Sequence, residues 1–361
     1  MKTTSQPSAT RYSNAKGGCR RVWLSNPSIP RFTKTMASQA WLIFNPAAGQ
    51  GDADRDLAVI RAMLDPELDL EIRTTTTDLD TDRFAREAVS VGAVPIAAGG
   101  DGTVSKVMAA AIETGVPVGA IPRGTANAFA RALGLPDSLE AACQVILDGN
   151  VREIDAARCG DGRLMVLWAG VGVGAEAIVQ TESDSKERLG RLAYVLSGVQ
   201  QLQDLKHFNV EIEVEDRILV ASAAAVTVAN AAPPTSILAQ GPARVCPDDG
   251  LLDVTVFAPE TPTEAITASY DLLWSGFNDR ATERSDVGYL QAKSVKVRTT
   301  PPQNVVVDGE VVGRDTLELT CVPGGLRVFV PVPDGEESDR MTGFFGDRSS
   351  VETAMERSRS L

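Results

Sequence analysis

The sequence predicts an α/β domain followed by a mostly antiparallel β domain, a sandwich or a flattened barrel. Strands and helices alternate through residues 40–147 of the 361-residue chain, which implies a parallel sheet with right-handed crossovers. After Asp155 the pattern changes to short β-rich runs separated by Gly, Pro and Asp, which is typical of antiparallel sheets. A chain of this length can form two domains, each with its own core.

The first half alternates apolar runs with helices that repeat one apolar face. The predicted strands are Ala40–Phe44, Leu68–Arg73, Ile96–Ala98 and Val116–Ile121. The predicted helices lie at residues 57–64, 82–91, 104–112, from 126 onwards, and at 138–147. Polar or Gly-rich loops follow the strands at residues 45–49, 74–75, 99–103 and 122–125. Ligands of parallel sheets bind at the carboxyl ends of the strands, so these loops predict one binding site.

Two of these loops have the composition of phosphate-binding loops. Gly99-Gly100-Asp101-Gly102-Thr103 and Pro122-Arg123-Gly124-Thr125 each join a strand to a helix. Glycines at such junctions let backbone N–H groups approach an anion, and the helix N-terminus adds its positive dipole end. An aspartate would repel phosphate unless a metal ion bridges the two, so Asp101 indicates a metal–nucleotide site. The alternative is a purely structural turn.

Three motifs in the second half each allow two interpretations. Asp308-Gly309-Glu310 is a hairpin turn, a hairpin tip that presents a general base across a cleft, or both at once. Residues 246–251 form either a turn or an oxygen-rich site for a hard cation. The Gly-rich run at 170–174 resembles a dinucleotide fingerprint, but no βαβ unit surrounds it. A glycine-rich strand packed closely on a neighbour is the better interpretation.

Any membrane contact is expected to be peripheral. The sequence contains no run of 18 apolar residues, so it predicts no transmembrane helix. Helical patterns interrupt the β-rich runs at Glu187–Leu205 and Pro262–Phe277. The first of them begins with basic residues from Lys186, which form either a solvated face or a contact to an anionic membrane.

Composition argues against several classes of function. The net charge of −13 does not suit a general nucleic-acid binder, and we expect no nucleic-acid partner. Five scattered cysteines without a CxxC pair and a single histidine, His207, argue against a disulfide framework, a zinc cluster and a His-dependent triad. This cysteine usage fits a reducing cytoplasm. Residues 1–37 are expected to be a disordered leader or to precede the true start at Met36, and residues 332–361 a disordered tail.

Five motifs together resemble those of the diacylglycerol kinase catalytic family, in particular its soluble bacterial YegS-type lipid kinases. They are Asn45-Pro46-Ala47-Ala48-Gly49, Gly99–Thr103, Pro122–Asn127, Asp248–Leu252 and Asp308–Glu310. They occur in the family's order and cover roughly residues 40–331. The first Gly-rich loop alone is shared with NAD kinases, whereas the Gly-Thr-Ala-Asn element and the late Asp-Gly-Glu distinguish the lipid kinases. One departure is Ala128, where the family usually carries Asp; Asp155 is a candidate to replace part of its charge.

The resemblance implies a three-layer α/β ATP-binding domain at residues 38–154, a β-sandwich at 155–323 and a return strand at 324–331. ATP would lie in the cleft between the domains, and Asp101 would act on the metal–phosphate assembly. Glu310 would be the base that accepts the proton of the lipid hydroxyl. The implied nucleotide contacts are Asn45, Pro46, Ala47, Ala48, Gly49, Thr75, Gly100, Asp101, Gly102, Thr103, Val104, Ser105, Lys106 and Thr125. The implied ligands of a structural Mg²⁺ are the Asp249 side chain and the carbonyls of Cys246 and Leu251.

The expected function is therefore an ATP-dependent lipid kinase that works in the cytoplasm, peripheral to the membrane on which its lipid substrate lies. A homodimer is left open. Two alternatives also stay open: a kinase of a soluble nucleotide cofactor such as NAD, and a catalytically weakened nucleotide- or lipid-binding regulator, suggested by Ala128. The sequence leaves the lipid undetermined among diacylglycerol, a sphingoid base, a polyprenol and phosphatidylglycerol.

Overall fold

The apolar pattern of the first half forms strands that alternate with helices. The structure is a computed structural model and describes residues 39–49, 51–172, 206–215, 217–233, 245–278, 284–314 and 316–332. The first four strands are β1 (Gln39–Phe44), β2 (Asp69–Thr74), β3 (Val94–Gly99) and β4 (Pro117–Pro122). The helices of this α/β half are α1 (Ala53–Leu64), α2 (Asp78–Ser90), α3 (Asp101–Ala111), α4 (Ala128–Ala132) and α5 (Leu139–Asp148).

Capping residues, rather than apolar spacing, decide where two of these helices begin. α2 starts before the predicted Asp82, because Thr77 and Asp80 form a capping box in which each side chain accepts from the other's backbone N–H. The helix predicted from Ala126 is the short α4, which begins at Ala128. The prediction placed these boundaries within a few residues, as expected from periodicity alone.

The four strands of the α/β half are parallel and lie in the order β2-β1-β3-β4. Leu42 of β1 lies beside Ile72 of β2 and Ile96 of β3, so the strands are in register. Their carboxyl ends therefore meet at one edge, and the loops that follow them converge there. This convergence is what positions the candidate site.

The described residues that follow α5, which we call the β half, form mainly strands. They are β5 (Val151–Cys159), β6 (Leu164–Met165), β7 (Trp168–Gly172), β8 (Phe208–Val214), β9 (Arg217–Ala223), β10 (Ala225–Ala229), β11 (Leu252–Phe257), β12 (Val287–Ala292), β13 (Ser294–Thr300), β14 (Val305–Val307), β15 (Glu310–Gly313) and β16 (Leu317–Phe329). The predicted helix near residue 262 is α6 (Pro262–Asn278). The helical pattern at 187–205 and the terminal segments 1–37 and 333–361 lie outside the described residues.

The described strands form two sheets. One has six antiparallel strands in the order β12-β11-β10-β7-β14-β15. The other has ten strands and runs β2-β1-β3-β4-β16-β13-β8-β9, with β5 beside β16 and β6 beside β5. Val328 of β16 pairs in parallel with Val118 of β4, whereas Leu319 pairs antiparallel with Val295 of β13. The long strand β16 therefore joins the parallel strands of the α/β half to the antiparallel strands of the β half.

Apolar packing also crosses between the two halves. One buried cluster contains Phe129 of α4 together with Trp168 and Val306 of the β half. Among the described residues, no helix is long and apolar enough to cross a membrane. Three buried cysteines are free thiols, but Cys246 is disulfide-bonded, which the scattered spacing of the cysteines did not predict.

Candidate active site

The loop after β1 is fixed at its base by its asparagine. Asn45 Nδ2 donates to Thr103 Oγ1 at 3.0 Å, and Asn45 Oδ1 accepts from the backbone N–H of Ala47 at 3.0 Å. Pro46, Ala47 and Gly49 are exposed, whereas Ala48 is half-buried. The first predicted nucleotide loop thus presents its backbone to solvent on a base tied to the second loop.

The Gly-rich loop after β3 leads directly into α3. Gly100 is the N-cap residue and forms no side-chain capping bond, so N–H groups of the first turn remain for another acceptor. A Cβ atom at Gly99 would lie 2.6 Å from Thr103 Oγ1, which explains the glycine there. Gly102 is exposed, but the side chains of three predicted contacts that follow it are buried: Thr103, Val104 and Ser105. The exposed backbone of the first turn is therefore the part of this loop that can meet a phosphate.

Asp101 faces the start of α4. Its Oδ1 accepts from the backbone N–H of Phe129 at 3.4 Å, and the N–H groups of Asn127 and Ala128 also point to this carboxylate. Burial raises the pKa of Asp101, and these backbone donors oppose that shift. Ala128 lies in the first turn of α4, beside Asp101, so an aspartate there would place a second negative charge at this position.

The loop after β4 touches the Gly-rich loop. A Cβ atom at Gly124 would lie 2.8 Å from the Cα of Gly100, so the two backbones meet where only glycine fits. The backbone N–H of Gly124 donates to Asn127 Oδ1 at 2.8 Å, and Asn127 itself has a φ of 47°. Thr125 lies exposed at the tip of this loop. The asparagine of the Gly-Thr-Ala-Asn element therefore closes the loop instead of facing a ligand.

Arg123 is a site residue whose role the sequence did not indicate. Its side chain is 1% exposed and donates from Nε and Nη2 to Asp56 Oδ2, at 3.0 and 2.8 Å. Its Nη1 donates to the carbonyl of Asn45 at 2.6 Å, and its guanidinium lies 4.3 Å from the ring centroid of Phe44. The arginine therefore holds the loop after β1 against the loop after β4. Its only sequence signal was a charged residue directly after a buried strand.

Thr75 is less available than the resemblance implied. It is buried directly after β2, its N–H donates to the carbonyl of Phe44 at 2.9 Å, and its hydroxyl lies 3.4 Å from the same oxygen. The residue joins the ends of β2 and β1. Its position at the loop edge of the sheet matches the prediction, whereas its hydrogen bonds are made within the fold.

Glu310 and Asp308 of the hairpin have different surroundings. The Glu310 carboxylate is 63% exposed and lies 2.9 Å from Lys106 Nζ of α3. The Asp308 carboxylate instead accepts the backbone N–H groups of three consecutive residues at 2.9 to 3.1 Å: Val166, Leu167 and Trp168. Burial raises the pKa of Asp308 to about 6, although those three bonds oppose the shift. Asp308 fastens the hairpin, and Glu310 projects from it toward the α/β half.

Asp155 organises the turn at residues 246–251. Its Oδ2 accepts from the N–H of Gly250 at 2.7 Å, and its Oδ1 accepts from the N–H of Gly324 at 2.8 Å. Gly324 lies where the pairing of β16 with β5 shifts register. Asp155 thus ties the turn to β16, and neither of these two bonds reaches Ala128 or the phosphate loops.

The predicted Mg²⁺ site contains two neighbouring carboxylates, those of Asp249 and Asp253. Asp249 accepts from the N–H of Leu251 at 3.0 Å and from Gln291 Nε2 at 3.0 Å. Gln291 also donates to Asp253, whose other oxygen, Oδ2, is buried and has no hydrogen-bond partner in the described structure. Burial, and then the neighbouring carboxylates, raise the pKa values of both Asp249 and Asp253. A hard cation would relieve this charge, so these residues fit the group.

The fit depends on backbone oxygens as well as carboxylates. Within the part of the chain that the structure describes, no three His, Cys, Asp or Glu side chains converge as a metal site. Carbonyls such as those predicted at Cys246 and Leu251 would therefore have to complete the coordination beside Asp249.

Two family models match the chain in succession. Residues 39–159 match the diacylglycerol kinase catalytic domain, and residues 169–330 match the YegS C-terminal NAD kinase beta sandwich-like domain. A Synechocystis sp. protein, described as uncharacterized, is 41% identical over 303 residues, which cover 81% of this chain and 70% of that protein. A Stenotrophomonas maltophilia protein, named probable lipid kinase YegS-like, is 31% identical over 318 residues, or 82% of this chain and 97% of that protein.

A solved structure supports the same fold. The crystal structure of a diacylglycerol kinase from Bacillus anthracis matches with a TM-score of 0.65 at 24% identity, covering 82% of this chain and 97% of that chain. The three comparisons agree with the motifs and with the arrangement of the loops. The chain therefore belongs to the diacylglycerol kinase catalytic family and is of the YegS-like lipid kinase type.

Proposed function

We propose that this protein transfers the γ-phosphate of ATP to a lipid hydroxyl, with Glu310 as the general base. The observation that carries the proposal is the 2.9 Å ion pair between Glu310 and Lys106. It brings the only hairpin carboxylate that projects toward the α/β half onto α3, the helix whose first turn is the Gly-rich loop. A base and a phosphate cradle on facing elements are what transfer to an alcohol requires.

The proposed reaction needs no covalent intermediate with the protein. The acceptor oxygen attacks the γ-phosphorus, the bond to the β-phosphate oxygen breaks, and the acceptor proton passes to the Glu310 carboxylate. Positioning and charge stabilisation account for most of the acceleration in such reactions. The backbone N–H groups of the first turn of α3 and the exposed loops at Asn45–Gly49 and Thr125 would hold the phosphates. Asp101 would act on the metal–phosphate assembly from the first turn of α3, beside the start of α4.

Magnesium has two proposed roles in this protein. When bound with ATP, it neutralises phosphate charge during transfer. A second ion would be structural, held by the Asp249 side chain with the carbonyls of Cys246 and Leu251. The buried, unpartnered oxygen of Asp253 supports a cation at this turn.

The lipid is proposed to be reached at a membrane surface on the cytoplasmic side. The Stenotrophomonas maltophilia relative supports a lipid acceptor, because it is named probable lipid kinase YegS-like. A homodimer is a further proposal that sedimentation of the purified protein would test. Phosphorylation of NAD and nucleotide binding without transfer are the competing outcomes.

One assay tests the proposed function. Purified protein, [γ-³²P]ATP and Mg²⁺ are incubated with mixed micelles of diacylglycerol, a sphingoid base, a polyprenol or phosphatidylglycerol, and separately with NAD. We expect label in one lipid, and a loss of about 10²–10⁴-fold in Glu310→Gln. Glu318→Gln, another half-exposed glutamate in an ion pair with a lysine, serves as the matched control and should retain full turnover.

Label in NAD alone would contradict the lipid acceptor. ATP binding without any transfer would support the regulator instead. Full turnover in Glu310→Gln would show that another group accepts the proton.

A further inference from the structure

Lys106 is the one α3 side chain that the structure places in contact with the candidate base. Its Nζ lies 2.9 Å from Glu310 Oε1, and its side chain is 23% exposed against 63% for the glutamate. The family resemblance implied only that Lys106 contacts the nucleotide. The structure shows in addition a contact from Lys106 to the hairpin of the β half.

The two partners differ in how firmly they are held. Lys106 lies in the second turn of α3, and its two neighbours in the sequence, Ser105 and Val107, are buried. Glu310 is the first residue of β15, a short strand on which Val311 is 53% exposed. A mostly exposed glutamate samples several rotamers unless a partner selects one. The lysine lies on a packed helix and can select the Glu310 rotamer that points at α3.

We propose that Lys106 is a positioning residue for Glu310, holding the base over the N-terminal part of α3, where the γ-phosphate would lie. This inference rests on the proposed function.

The neighbouring aspartate, Asp308, fixes the backbone of the hairpin but not the side chain of Glu310. Asp308 is fixed by three backbone N–H groups and sets the hairpin in place. Those bonds orient the backbone at the tip, but they leave the Glu310 side chain free to rotate about its own bonds. Among the described residues, the ion-pair partner of Glu310 is Lys106.

The test separates positioning from nucleotide binding. Lys106→Met should lower kcat for lipid phosphorylation by about 10- to 10²-fold, since misplacing a catalytic group by about 1 Å costs up to 10²-fold. The Kd for ATP, measured by isothermal titration, should change by less than about threefold, because the loss is in the transition state and not in ground-state binding. Lys106→Arg, which keeps a cation beside the carboxylate, should restore most of kcat.

Lys296→Met is the matched control. Lys296 forms a comparable 2.8 Å ion pair with Glu318 on the surface of the β half, so its loss should leave kcat and KM unchanged. Thermal unfolding of Lys106→Met and Lys296→Met should give similar midpoints, which excludes a folding defect.

Three results would overturn the inference. A weakened ATP affinity with wild-type kcat at saturating ATP would make Lys106 a nucleotide ligand. Unchanged kinetics in Lys106→Met, or no rescue by Lys106→Arg, would show that Glu310 is positioned by other groups. If the wild-type protein transfers phosphate to no lipid, both the proposed function and this inference are wrong. If the wild type is active and Lys106→Met has the same activity, only this inference is wrong.

Discussion

The phosphate loops of the α/β half and the acidic turn of the β half use their polar side chains in opposite ways. In the loops, Arg123 and Asn127 are bonded within the fold, and backbone N–H groups remain for a ligand. In the turn, burial and then neighbouring carboxylates raise the pKa values of Asp249 and Asp253, and one buried oxygen of Asp253 has no partner among the described residues. The first arrangement leaves donors, which suit the anion we propose, whereas the second has an excess of acceptors, which suits the proposed cation.

The largest expected effect tests how strongly the phosphate loops are preorganised. Arg123→Met should reduce the free energy of unfolding by about 3 kcal/mol or more, because it leaves Asp56 and the Asn45 carbonyl without their buried donor. Urea denaturation measures this change. The matched control is Arg61→Met, which removes an exposed helical pair with Asp65 and should cost less than about 0.5 kcal/mol. Equal effects in the two variants would mean that the bonds of Arg123 contribute no more than a surface pair.

A second substitution tests whether the acidic turn is held together by its own carboxylates. Asp155→Ala should reduce the free energy of unfolding by about 2 kcal/mol, since the N–H groups of Gly250 and Gly324 both lose their acceptor. Asp161→Ala, at an exposed pair, is the control. A gain in stability would show that repulsion among the turn's carboxylates outweighs these two bonds.

Adding Mg²⁺ tests the proposed cation directly. At ten times the dissociation constant, bound Mg²⁺ should stabilise the folded protein by about 1.4 kcal/mol, and the melting temperature should rise accordingly. Asp249→Asn should lose this stabilisation, whereas Asp65→Asn should retain it. A melting temperature independent of Mg²⁺ would contradict a cation at this turn and leave its negative charge without explanation.

The smallest effect isolates one hydrogen bond of the phosphate loops. Asn127→Gly keeps the positive φ of 47° accessible but removes the acceptor of the Gly124 N–H, so it should cost about 1 kcal/mol. Asn127→Ala should cost more, because alanine disfavours this backbone conformation. Equal stability of the two variants in urea denaturation would indicate that the loop relaxes away from φ 47° when the side chain is lost.

Local patterns in the sequence predicted much of the fold. Apolar runs and helical spacing indicated the strands and helices of residues 40–147, because those signals depend on neighbouring residues. The Gly-rich loops were also recognisable from their composition, but the contacts that require these glycines appear only in the structure: a Cβ atom would meet the Thr103 side chain at Gly99 and the Gly100 backbone at Gly124. Helix starts were less accurate, because the Thr77–Asp80 capping box lies outside the apolar pattern.

The sequence by itself therefore determined the α/β and β character of the two halves and the edge of the sheet where the loops gather. Only the tertiary structure decided that Arg123 faces inward, that Asp155 serves the turn, and that Lys106 meets Glu310. Each of these contacts joins residues far apart in the chain, and their geometry follows from sheet register and from the path of β16. Periodicity cannot report such pairs, because a charged residue has the same local pattern whether it is solvated or bonded across the fold.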